Sequence, residues 1–205
     1  MKRRFSVVLM VMGLAFVACS CSKKDKEDGN YGNYPRTTVP DDLVGYWLTG
    51  STSIGNFWGY DGSYAGAAYE LAVGYMLFKD GRAREYFYYT STTYGCRSQV
   101  LGYKEGTVEV DVNKKTFTFY SASGNYRSYK SCGGSDNGKT KTYGADELYP
   151  KKTVSYNDVE FRKENGVIKS WHIHYSDGSS MDFTKTQEPQ KNKSLSANGS
   201  FEPRD

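Results

Sequence analysis

His172 and His174 are the only two histidines in a chain of 205 residues, and they stand two apart in the stretch 169–178, KSWHIHYSDG. On a β-strand that spacing points both imidazoles to one face. The hairpin registers derived below set Asp158 and Asp182 on either side of His172. Two imidazoles and two carboxylates are ligands that zinc accepts. Two features weigh against a metal centre: a flat, solvated strand face offers little to orient ligands, and Lys169 and Arg162 lie close enough to compete for the carboxylates. Cross-strand pairing of a histidine between two aspartates explains the same pattern without a metal. The expectation is therefore a structural strand, with no metal, cofactor or catalytic group. Other catalytic patterns are absent as well. The chain has no G-x-S-x-G, no H-E-x-x-H and no glycine-rich phosphate loop. Asp158 and Glu160 sit on a charged strand face rather than flanking a cleft, as glycoside hydrolysis would require. The SDNG at 135–138 lacks the acidic spacing of a calcium loop.

The four cysteines divide into two pairs. Cys19 and Cys21 follow a basic start, Lys2-Arg3-Arg4, and an apolar run from Phe5 to Ala18. That run is short for a membrane span and ends in small residues, as an export signal does. Residues 1–18 are read as the signal peptide. In an exported protein, Cys96 (TTYGCRSQ) and Cys132 (YKSCGGSD), both in turn-rich sequence, are expected to form a disulfide. Removing the signal takes Lys2, Arg3 and Arg4 from a formal charge of +4 and leaves about +1, which gives nucleic-acid binding no electrostatic support.

Cysteine directly after the apolar run resembles the lipobox of bacterial lipoproteins, whose first mature residue carries the lipid. FVAC fits with Cys19, the preferred site, because Ala18 precedes it; ACSC fits with Cys21. The charged stretch that follows is similar to lipoproteins of Bacteroidota. The resemblance implies a lipid anchor in the outer membrane, on its periplasmic side or at the cell surface.

Behind these residues stand the elements that must position them. Residues 19–42, polar with Gly, Asn and Pro, read as the lipidated cysteine and a flexible tether. Residues 186–205 show no hydrophobic period and read as a disordered tail. Between them, residues 43–185 form one domain, large enough for a single core. Tyr, Phe, Val and Thr alternate there with polar residues and turn signals recur closely, so the fold class is all-β, an antiparallel meander. Ten strands are predicted, near 43–49, 70–78, 82–90, 99–103, 107–112, 115–121, 126–131, 154–163, 167–175 and 179–185, some able to merge.

Four turns end in glycine: residues 79–81, 104–106, 164–166 and 176–178. Three-residue hairpin loops at these turns sort apolar from charged side chains, whereas two-residue loops mix them. In the chosen register Trp171 faces Val159 and Phe183, and Ile173 faces Met181. Leu71, Val73, Tyr75 and Phe87 share one apolar face, with Glu85 as its exception.

Gly45-Tyr46-Trp47 resembles the G-x-W that opens the first strand of lipocalins, where the Trp plugs the closed end of an eight-stranded barrel. The second lipocalin motif, T-D-Y, is absent, and the sequence does not identify the basic residue that packs over the Trp. The resemblance implies a lipocalin-like barrel, with a β-sandwich as the alternative. It also implies a small apolar or amphipathic ligand held inside, lined by Leu71, Val73, Tyr75, Phe87, Trp171 and Ile173. Segment 51–68 would be the loop over the mouth. Its Phe57, Trp58, Tyr60 and Tyr64 make it unusually aromatic, and exposed rings of this kind stack on sugars or anchor partners. A glycan- or protein-interaction module acting through this loop is the second reading, and an enzyme ranks third.

Overall fold

The computed structural model describes residues 29–63, 66–111, 113–133, 137–144, 147 and 152–191. Among them nine strands run in order: β1 (Gly45–Gly50), β2 (Tyr69–Leu77), β3 (Arg82–Thr93), β4 (Cys96–Asp111), β5 (Thr116–Lys130), β6 (Thr140–Gly144), β7 (Lys152–Glu164), β8 (Val167–Tyr175) and β9 (Ser180–Thr186). The fold is all-β and every pairing is antiparallel. Hydrogen bonding passes from β1 through β2, β3, β4, β5, β7, β8 and β9 and returns to β1, while β6 lies beside β5. Each of those eight strands is therefore paired on both sides.

The inner face of this ring is the apolar face read from the sequence. Tyr75 of β2 meets Phe117 and Phe119 of β5 and Phe183 of β9 at ring separations of 5.8, 6.1 and 6.3 Å. Trp171 stacks on Phe183 at 4.8 Å. Glu85 points inward as well, and its exception is resolved by its cross-strand neighbour: Lys104 Nζ donates to Glu85 Oε1 at 2.8 Å, and the Tyr75 hydroxyl donates to Oε2 at 2.8 Å. Trp47 is wholly buried at one end of the ring. Its indole Nε1–H donates to the Leu43 carbonyl at 2.7 Å, in the short 3-10 helix Asp41–Leu43, and Lys185 Nζ lies 5.2 Å over its ring.

Two of the four glycine turns keep the predicted three-residue geometry. Leu77 faces Ala83, and Trp171, His172 and Ile173 face Phe183, Asp182 and Met181. The other two differ. At 164–166 the loop has two residues, Asn165 and Gly166, both at positive φ (51° and 78°), as a type I′ turn demands. A register shift beside Arg162 and Lys163 then moves the pairing on, so Trp171 faces Phe161 rather than Val159. Turn and shift together move the pairing by an even count, which is why the inner-face residues stay inside. At 104–106 there is no hairpin. Strand β4 runs through, with a bulge at Glu105/Gly106. A Cβ on Gly106 would lie 1.8 Å from the Tyr120 carbonyl oxygen, so the glycine serves close strand approach rather than a turn. The predicted strands 99–103 and 107–112 thus merge, as do 115–121 and 126–131, and β6 was not foreseen.

Both flanks pack on the domain. Residues 29–42, expected as tether, bury Tyr31 and Val39, and Thr37 N–H donates to the Val108 carbonyl at 3.0 Å. Residues 186–191 of the expected tail also lie against the sheet, as described below. Cys96 and Cys132 are bonded, with Cα atoms 5.3 Å apart and a sequence separation of 36. They close the β4–β5 ladder beyond the Ser98–Lys130 pair. Reduction, or the double change to Ala, is expected to cost about 3–4 kcal/mol by loop-closure entropy. Urea unfolding with and without reductant measures it; coincident curves would show that the bond adds nothing to an already ordered ladder.

Candidate functional site

Strands β1–β5 are apolar on both faces. Outside the ring, Tyr46, Tyr86, Tyr88, Leu101, Tyr103 and Tyr129 are all buried, so something must cover them. The cover is the aromatic loop. Residues 51–63 do not lie over the mouth of the ring; they fold back over the outer face. Phe57 meets Tyr86 at 5.2 Å, Trp58 meets Tyr103 at 4.7 Å, and Tyr60 meets Tyr129 at 5.2 Å. Half-buried rings on a buried tyrosine surface remove apolar area from water, and the edge-to-face contacts add to this.

Polar anchors fix the loop at four places. Ser53 donates through its N–H (2.9 Å) and hydroxyl (2.6 Å) to buried Glu70. The Arg127 guanidinium donates to the carbonyls of Phe57 and Trp58. The Tyr129 hydroxyl donates to the Tyr60 carbonyl at 2.6 Å, and Gln99 Nε2 donates to the Tyr60 hydroxyl at 2.7 Å. The C-terminal segment supplies the facing wall. Its Pro189 carbonyl accepts from the Trp58 indole at 3.1 Å, and Glu188 accepts from the Tyr86 hydroxyl at 2.8 Å and from Arg84 at 3.1 Å.

Between loop and segment lies an open cleft of about 510 Å³. Tyr46, Leu48, Ile54, Phe57, Tyr86 and Tyr88 give it an aromatic and aliphatic floor, while Thr52, Asn56, Gln187, Glu188 and Gln190 give it a polar rim. Burial, reinforced by the Glu188 charge, raises the phenols of Tyr46 and Tyr86 far above their ordinary value. Burial and the bond to Glu105 do the same for Tyr103. Because these pKa values are raised on folding, the stability they carry is complete below about pH 10, the unfolded value, and drains as pH climbs above it. Absorbance at 295 nm is expected to show exposed phenols such as Tyr94 ionising first and a second group ionising only together with loss of the β circular dichroism signal; complete ionisation in a still-folded protein would contradict the burial.

The residues singled out in the sequence thus fall on two sides of one sheet. Phe57, Trp58 and Tyr60 lie outside the ring with the cleft, and Tyr64 lies outside the described residues. Leu71, Val73, Tyr75, Phe87, Trp171 and Ile173 point inward, Tyr75 and Ile173 as buried members of the core. Cys19 and Cys21 also lie outside the described residues.

The two imidazoles do share a face, 4.4 Å apart. His172 Nδ1 lies 2.7 Å from Asp182, as expected, but its partner on β7 is Glu160, and Asp158 faces His174 instead, because the two-residue turn and the register shift at Arg162/Lys163 together move the pairing by two. His174 Nε2 lies 3.5 Å from Glu160. Among the described residues no group of three or more His, Cys, Asp or Glu side chains converges on a metal position.

Glu70, Arg84, Gln99, Arg127, Tyr129 and Glu188 were missed. One signal was present: Tyr86-Phe87-Tyr88-Tyr89 is an unbroken aromatic run, which marks a strand covered on both faces rather than one. No family model, curated protein or solved structure matches this chain.

Proposed function

We propose that the protein is a lipid-anchored envelope binding module. It holds a glycan or a similarly amphipathic small ligand in the cleft between the aromatic loop and residues 187–190, on the outside of a lipocalin-like barrel. The observation that carries this reading is the mixed wall of the cleft, tyrosine and phenylalanine rings facing Asn56, Gln187 and Gln190. Sugars offer apolar C–H faces for rings to stack on and hydroxyls for amides to bond. The volume falls within the range of small-molecule sites. Anchors on both walls support a preorganised site, which lowers the ordering cost of binding.

Lipidation at Cys19, with Cys21 as the alternative, tethers the domain. The Lys185 ammonium over the Trp47 ring supports the lipocalin likeness.

A glycan array probed with wild type and with Gln187→Ala/Gln190→Ala tests the reading. Retention by wild type alone supports it. No glycan retained, or equal retention by both proteins, sinks it. Cys19→Ser is expected to release the protein from membranes; continued attachment, with release by Cys21→Ser, moves the anchor to Cys21. A second reading, a small apolar ligand inside the ring, is favoured by one observation: inward-facing Leu71, Phe161 and Met181 are 40, 44 and 37% exposed. Native mass spectrometry of purified protein separates the two, because only this reading expects a ligand whose retention is indifferent to the two glutamines.

A further inference from the structure

Beside the cleft, on the far side of Trp58, lies a second arrangement of rings. Trp58 and Tyr103 stand 4.7 Å apart at 69°, with Tyr86 behind them at 6.1 and 5.1 Å. The angle between the first two rings opens a corner, and Lys191 Nζ sits in it, 4.3 Å from the Trp58 centroid and 5.0 Å from that of Tyr103. Among the described residues this ammonium makes no ion pair, although carboxylates are near, so the ring faces are what hold it. We infer that Trp58 and Tyr103 form a binding site for an organic ammonium group, a site that Lys191 of the chain's own C-terminal segment occupies.

The chemistry of the corner fits a cation. Ring faces carry negative electrostatic potential, and indole carries the most. The Tyr103 hydroxyl donates to Glu105 at 2.5 Å and that of Tyr86 to Glu188 at 2.8 Å, and each bond pushes electron density back into its ring. Both carboxylates also face the Arg84 guanidinium, which offsets much of their field, so the ring faces carry the site. The rings are held independently of any ligand: the Trp58 indole by the Pro189 carbonyl, the Trp58 main chain by Arg127, and Tyr103 by Glu105. A quaternary ammonium is a better guest than lysine, because it is less hydrated and gives up less on leaving water. Lys191 is itself an exposed residue on an irregular segment, so its release involves no core. The site therefore takes a quaternary or methylated ammonium in place of the chain's own lysine.

Choline chloride is the probe, read by Trp fluorescence and by isothermal titration on wild type, Lys191→Ala and Trp58→Phe. The neutral isostere 3,3-dimethylbutanol serves as the control. Choline is expected to bind Lys191→Ala about five- to tenfold more tightly than wild type, and to bind Trp58→Phe more weakly than wild type. The isostere is expected to bind much more weakly than choline to every form. In wild type the Lys191 ε-methylene protons are expected to shift upfield under the ring current and return on adding choline. Equal affinity for choline and isostere, equal choline affinity in wild type and Lys191→Ala, or unshifted Lys191 protons would each overturn the inference. None of these outcomes depends on glycan retention, so failure here and failure of the cleft reading are separately visible.

Discussion

Trp47→Ala is expected to lower the free energy of unfolding by about 4 kcal/mol, near the upper end for a truncated core aromatic. The residue is 0% exposed. It meets Trp171 edge to face at 5.8 Å, carries Lys185 over its ring, and donates the hydrogen bond that docks the 3-10 helix across the end of the ring. Truncation opens a cavity that neighbouring strands cannot collapse into, because hydrogen bonds on both sides fix their spacing. It also leaves the Leu43 carbonyl without its donor. Trp47→Phe keeps most of the volume and loses mainly that bond, so its cost is expected to be smaller, about 1–2 kcal/mol. Urea unfolding followed by circular dichroism separates the two variants. If Trp47→Ala costs no more than Trp47→Phe, packing at this end is not what holds the ring.

The second large effect is expected inside the ring. Glu85→Ala removes the carboxylate that accepts from both Lys104 and Tyr75 and leaves an ammonium facing an apolar interior. Breaking one side of a buried pair typically costs about 3–5 kcal/mol. Glu85→Leu with Lys104→Met removes the charge altogether and is expected to restore stability to within about 1 kcal/mol of wild type. The pH dependence distinguishes the two states of the lysine. In wild type, burial alone would push the Lys104 ammonium down, but the Glu85 charge and hydrogen bond outweigh it and hold the group above its ordinary value. That stability is present below about pH 10.4 and is lost as pH rises through the raised value. In Glu85→Ala burial is opposed only by the weaker influence of the Tyr126 phenol, so the loss of stability on raising the pH toward 10 is expected to shrink or reverse. Parallel pH profiles for the two proteins would mean that Lys104 reaches water once Glu85 is gone.

How far the sequence could carry this picture depends on the range of each interaction. The β8–β9 hairpin was legible to the residue, because Trp171, Ile173, Met181 and Phe183 sort by parity across a local turn. The bulge at Glu105/Gly106 was not, since a glycine after a charged pair reads the same whether it turns the chain or admits the Tyr120 carbonyl. Lys185 over Trp47 was hidden because it needs the last strand beside the first, a contact that local pattern does not encode. Glu85 looked like an error until Lys104 appeared opposite, one strand away. The cleft lost most. Its aromatic loop was recognised, but its cover of β1–β5 depends on Arg127, Gln99 and Glu188, polar residues whose separations in sequence from their partners run from 39 to 104. Strand β6, TKTYG, has no buried residue and so gave no apolar signal.

Arg84 has a consequence for chain connectivity. Its guanidinium lies 3.9 Å from Glu105, which also accepts from the Asn30 N–H at 2.8 Å, and 3.1 Å from Glu188. Among the described residues, the N-terminal and C-terminal segments therefore meet across the Glu105 and Arg84 side chains. Ends that close can be bridged by a few glycines without disturbing the ring, so the domain can be circularly permuted or spliced whole into a surface loop of another protein. The exposed turn at 176–178, outside both the cleft and the disulfide, is where the permuted chain would begin.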